Sequence, residues 1–88
     1  MEQQEFIDGL AREAFLETVT VEREADGFLD THVHPFEAKA LILTGQLTIS
    51  VDDVERLYQP GEVFHLAANQ PHAERYGPQG VSYLVGRK

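Results

Sequence analysis

Apolar residues recur at helical spacing in one place along the chain. Phe6, Ile7, Leu10, Ala11 and Ala14 fall on one stripe, and Glu5, Asp8, Arg12 and Glu13 lie opposite. The pattern predicts an amphipathic helix over Gln3–Phe15. Gly9 weakens it by about 1 kcal/mol relative to alanine. A helix of this kind packs on the outside of a sheet or at a subunit contact.

From Leu16 onward the pattern changes to short β-rich runs. Thr18–Val21 is dense in β-branched residues, and Ala25-Asp26-Gly27 signals a turn. Further strands are expected at Leu29–His34, Glu37–Leu43, Gln46–Val51, Val54–Tyr58, Glu62–Leu66, His72–Tyr76 and Val81–Val85. Between them stand Pro35, Gly45, Asp52-Asp53, Pro60-Gly61, Asn69-Gln70-Pro71 and Gly77-Pro78-Gln79-Gly80 as turn signals. Turns at intervals of about 8–12 residues predict an all-β sandwich or barrel. No second helical segment separates the strands, which argues against parallel βαβ units. A single domain over residues 1–88 is expected, with the helix at about 3–15 and the barrel at about 16–86.

Over Ala40–Leu43 the strand is apolar on both faces, so both need cover. The N-terminal helix is one source of the second cover. A second copy of the chain is the other, and a homodimer is expected on that ground.

The composition narrows the function. An apolar fraction of 42% suits a folded domain, although 88 residues bury only a modest core. A formal net charge of −8 argues against binding nucleic acid, whose backbone needs a basic surface, and against docking on an anionic membrane. With no cysteine there are no disulfides, no thiolate nucleophile and no cysteine-bound zinc. No signal peptide and no run of roughly 20 apolar residues is seen, and a cytoplasmic location is expected. No phosphate-binding glycine loop or nucleophile elbow is present.

Chemistry concentrates in the histidines. His32 and His34 are two apart on an expected strand, so both side chains leave one face about 6.5–7 Å apart. Imidazoles at that spacing reach one ion with metal–nitrogen bonds of about 2.0–2.2 Å. By itself the pair is a weak signal, since a hydrogen-bonded surface pair has the same spacing.

The surroundings are more specific. The segment from Gly27 through His32-Val33-His34 to Gly45 resembles the first conserved motif of the cupin superfamily. The segment Pro60-Gly61 to Pro71-His72 resembles the second, with a histidine eleven residues after the glycine. The resemblance implies a small cupin double-sheet (jelly-roll) barrel with a short N-terminal helix. It also implies that His32, His34 and His72 hold one divalent transition-metal ion, which in the superfamily is iron, manganese, nickel, zinc or copper.

The sequence departs from the motif at one ligand position. Cupins usually carry a glutamate or glutamine four residues after the second histidine, and here that residue is Ala38. Glu37 precedes it, and strand parity turns it away from the histidines unless a bulge at Pro35 reverses its facing. Glu74 shares the parity of His72, and Asp30 that of His32. Glu74, Tyr76 and Asp30 are the candidate catalytic or ligating groups, and Glu37 is a candidate fourth ligand. For Asp30 the alternative is a strand-end turn residue. The resemblance gives His65 no ligand role, and it reads as a partly exposed or hydrogen-bonded strand histidine.

Phe36, Ala38, Ala40 and Ile42 share the parity of the histidines and would line an apolar cup suited to a small organic molecule. Three functional readings follow. The first is a metal-dependent enzyme, either an oxygenase or an isomerase or lyase. The second is a non-enzymatic ligand-binding or sensor module, and the third a structural barrel without physiological metal.

Overall fold

The computed structural model describes residues 1–88. Helix α1 spans Gln3–Arg12, shorter than the apolar stripe predicts. The Glu2 carboxylate caps its start by accepting from the backbone of Gln4 and Glu5. Its end is set by Ala14, which takes a left-handed φ of 65°. Phe15 N–H then donates to Leu10 C=O over 2.9 Å, and Ala14 N–H to Ala11 C=O over 3.2 Å. This closing turn brings Phe15 beside Leu10, so the stripe is completed outside the helix.

Six strands follow: β1 (Glu17–Arg23), β2 (Phe28–His32), β3 (Ala38–Val51), β4 (Val54–Tyr58), β5 (Val63–Leu66) and β6 (His72–Arg87). All pairings are antiparallel, in the order β1-β6-β3-β4, with β2 also on β6 and β5 also on β3. The first half of β3 pairs the second half of β6, flanked by β1 and β5. The second half of β3 pairs the first half of β6, flanked by β2 and β4. Both halves feed one core that includes Ala40, Ile42, Leu47, Ile49, Phe64 and Tyr83. The arrangement is an all-β jelly-roll fold with one short helix.

Two expected turns are absent. Gly45 and Gly77–Gly80 do not break the chain but lie inside β3 and β6, which run 14 and 16 residues. The register slips beside Gly45, whose φ is +76°, and Gly80 has a φ of +73°. A Cβ on Gly45 would stand 2.0 Å from the Gly80 carbonyl oxygen. The glycines thus let two paired long strands bend together where the chain passes from one half of the sheet to the other.

The second face of β3 is covered within the chain. Leu41 and Leu84 pack with Phe6, Leu10 and Phe15 in a separate buried cluster. Burying each such side chain stabilises the fold by about 1.5–3 kcal/mol. The helix therefore supplies, within the chain, the cover over Leu41 and Leu84. No helix is long and apolar enough to cross a membrane.

Candidate metal centre

The histidines are gathered by β2, by the connection after it and by the start of β6. His32 ends β2 and sits directly across from His72, the first residue of β6. His34 lies two residues past the end of β2, so the expected strand stops short of it. The turn before β6 positions both remaining imidazoles. Asn69 N–H donates to His34 C=O over 2.7 Å, which ties the two connections together. His72 Nδ1 donates to Gln70 C=O over 2.9 Å.

His32 is oriented in the same way, with Nδ1 donating to Asp30 C=O over 2.7 Å. A carbonyl can only accept, so both Nδ1 atoms carry the proton. Each neutral ring then presents its Nε2 lone pair. The two Nε2 atoms are buried and have no hydrogen-bond partner. His34 stacks on Phe36, with centroids 5.0 Å apart. Burial holds its pKa below the usual histidine range, with His32 and His72 adding to the effect, and this favours the neutral imidazole.

Glu74 completes the group. It follows His72 by two residues on β6, faces the same way and is only 6% exposed. Its Oε2 lies 3.4 Å from Nε2 of both His32 and His72, and its Oε1 is buried without a partner. One ligand atom from each of His32, His34, His72 and Glu74 falls within 4.8 Å of the others. Bonds of about 2.0–2.2 Å place two donors of one ion at most roughly 4.4 Å apart, so small side-chain adjustments close the set. Three lone-pair nitrogens, a carboxylate and three orphaned buried donor atoms fit a divalent transition metal.

The other candidates lie elsewhere. Glu37 is outside the cluster: its carboxylate pairs with His65 Nε2 and lies 4.0 Å from Lys88 Nζ. Its backbone N–H and C=O pair with Lys88, which fixes that outward facing. The carboxylate gathered with the three histidines is that of Glu74 instead. His65 is accordingly an exposed, hydrogen-bonded strand residue. Asp30 is exposed within β2, where its carboxylate accepts from Thr31 N–H while its carbonyl orients His32. Tyr76 is buried outside the cluster with its hydroxyl unpartnered, and burial, then the charge of Glu74, raises its pKa.

Beside the four residues lies a cavity of about 70 Å³. Its apolar wall includes Phe36 and Ala38, as parity predicts, together with Phe64 and Leu66, whereas Ala40 and Ile42 lie in the packed core and do not line it. Three polar lining residues escape the sequence reading: Arg23, Tyr83 and Arg87. Both arginines have inward parity on β1 and β6, beside Val21 and Val85, so the alternation of those strands is the signal that could have found them. Burial, and next the charge of Glu74, pushes the Tyr83 hydroxyl far above the usual tyrosine range, so it stays protonated.

The comparisons with known proteins agree with this fold. The chain superposes on a Rhizobium leguminosarum protein of unknown function with a TM-score of 0.75 and 17% identity, covering 80% of this chain and 66% of that one. It superposes on DMSP lyase DddQ from Ruegeria pomeroyi with a TM-score of 0.73 and 25% identity, covering 81% and 36%. For KdgF from Halomonas sp. the TM-score is 0.67 and the identity 15%, covering 80% and 67%. The chain thus spans about two thirds of the first and third proteins and about a third of the lyase. No curated protein matches the sequence. The cupin-domain family model matches residues 18–77, the stretch that holds all four clustered residues, and the chain belongs to the cupin family.

Proposed function

We propose that this cupin holds one divalent transition-metal ion on His32, His34, His72 and Glu74 and acts there on a small organic molecule. The observation that carries the reading is that His32 Nε2 and His72 Nε2 are buried without hydrogen-bond partners, each 3.4 Å from Glu74 Oε2, with one ligand atom from each of the four residues within 4.8 Å of the others. Buried polar atoms are nearly always satisfied, and here a cation satisfies all of them together.

A bound metal would supply Lewis acidity, polarising an oxygen of the ligand. The chain's own residues do the rest. The carbonyls of Asp30 and Gln70 hold two imidazoles in the ligating tautomer. Glu74 lowers the net charge of a divalent centre from two to one, which moderates its pull on anions. Tyr83 keeps its proton and offers a hydroxyl donor at the cavity wall. Phe36, Phe64 and Leu66 exclude water from one side.

Lyase or isomerase chemistry suits this arrangement, and the likeness to a DMSP lyase at 25% identity supports it. The test is to load the protein with zinc, nickel, manganese or iron and follow a panel of small carboxylates by proton NMR, with oxygen uptake monitored in parallel. Elimination or isomerisation without oxygen uptake is the expected result. Oxygen consumption tied to product formation would reassign the centre to oxygenation. Ligand binding without turnover by any loaded form would make it a binding module.

A further inference from the structure

The metal-proximal cavity carries an unusual charge for this chain. The protein has only 7 lysines and arginines against 15 acidic residues, yet Arg23 and Arg87 both line this one small space. Arg87 is the more telling of the two. It sits directly across from Ala38 in the β3–β6 register, and both residues line the cavity. Its guanidinium lies over the Phe36 ring, 4.9 Å from the centroid, which fixes the plane of the group. One Nη atom pairs with Glu17 over 3.3 Å, but Nε is buried and has no acceptor. Glu17 on β1 partners one edge of the group, while Ala38 on β3 offers only a methyl group and leaves the corner on that side unfilled.

A guanidinium whose Nε has no acceptor, on a side chain that lines the cavity, is half of a bidentate carboxylate contact. The space is several times the roughly 10–15 Å³ that one water requires, and it suits a ligand of a few non-hydrogen atoms. His34, His72 and Glu74 line the same space, and His34 stacks on the Phe36 ring that the guanidinium also covers. We propose that the cavity is built for a short-chain carboxylate, whose carboxylate group docks on Arg87 in the corner left by Ala38 while the rest of the molecule extends towards the histidines. The assignment names the ligand class of the metal centre and rests on that centre being real. Arg23 adds long-range attraction from the opposite strand, and Val21, Val85 and Phe64 receive the carbon chain.

The experiment is a titration of the zinc-loaded full chain with propionate and, separately, with propionamide, followed by backbone NMR shifts. Zinc content is measured on the same samples. Wild type is expected to bind propionate at least about tenfold more tightly than the neutral amide. Arg87→Gln is expected to remove that preference with zinc content unchanged. Arg87→Lys keeps the positive charge but not the planar fork, and it too is expected to weaken propionate binding several-fold with zinc retained. This second variant keeps the charge and most of the side-chain bulk, so it decides the matter if Arg87→Gln does not fold. Equal affinity for acid and amide in wild type overturns the proposal, as does undiminished propionate binding in either folded variant, and both results leave the metal centre standing. A wild-type sample that takes up no zinc overturns both.

Discussion

Glu74 Oε2 stands 3.4 Å from His72 Nε2, and both side chains are buried. The His72 Nδ1 proton is committed to the Gln70 carbonyl, so in the neutral ring Nε2 is an acceptor facing another acceptor. A metal ion bound by both atoms, or a proton shared between them, relieves the repulsion. Glu74→Gln removes the charge with little change in shape. It is expected to weaken metal binding by more than the roughly 10–100-fold that loss of an outer-shell partner costs, measured by competition with a chromophoric chelator. An unchanged affinity would remove Glu74 from the ligand set.

Glu37 gives the complementary prediction. It is the acidic residue nearest in sequence to the position where cupins usually carry their carboxylate, but it pairs with His65 outside the cluster. Glu37→Gln is expected to leave metal content and affinity within about twofold of wild type, as for a surface change away from the site. A large drop would show that the connection rearranges to bring Glu37 inward.

The fold was legible where pattern and chemistry coincide. Strand parity placed Glu74 with His72, and the apolar stripe from Phe6 to Ala14 predicted the helix that covers Leu41. The fourth metal-facing group was harder to place, because an alanine at position 38 removes the expected carboxylate and leaves Glu37, Glu74 and Asp30 separated only by facing. Gly45 and Gly80 misled, since glycine marks both turns and bends in continuous strands, and long-range pairing decides between them. Arg23 and Arg87 were invisible as site residues because a charge near a strand end usually marks a solvated position.

Those two glycines carry a steric prediction. With a left-handed φ at Gly45 and only 2.0 Å between its would-be Cβ and the Gly80 carbonyl oxygen, any side chain must push the crossing strands apart. Gly45→Ala is expected to destabilise the protein by at least about 2 kcal/mol in urea unfolding, with metal-binding residues untouched. A loss below 0.5 kcal/mol, roughly the scatter of neutral surface changes, would mean that the bend relaxes freely.

The helix supplies a separate test of packing. Phe6 is 2% exposed and covers Leu41 and Leu84 on the face of the sheet away from the metal cluster. Phe6→Ala is expected to cost about 3–5 kcal/mol of stability while the metal affinity of the folded fraction is unchanged. The same substitution exposes the apolar face of β3, so self-association rising on sedimentation is the expected accompaniment.

The central claim is that His32, His34, His72 and Glu74 form one metal centre. The most direct measurement is the metal content of protein purified without a histidine tag, compared with the His32→Ala, His72→Ala double variant. The account predicts about one equivalent of a single divalent transition metal in the wild type and essentially none in the variant. Less than about 0.1 equivalents in the wild type, after incubation with each candidate metal at neutral pH, would contradict it. So would an occupancy that the double variant retains.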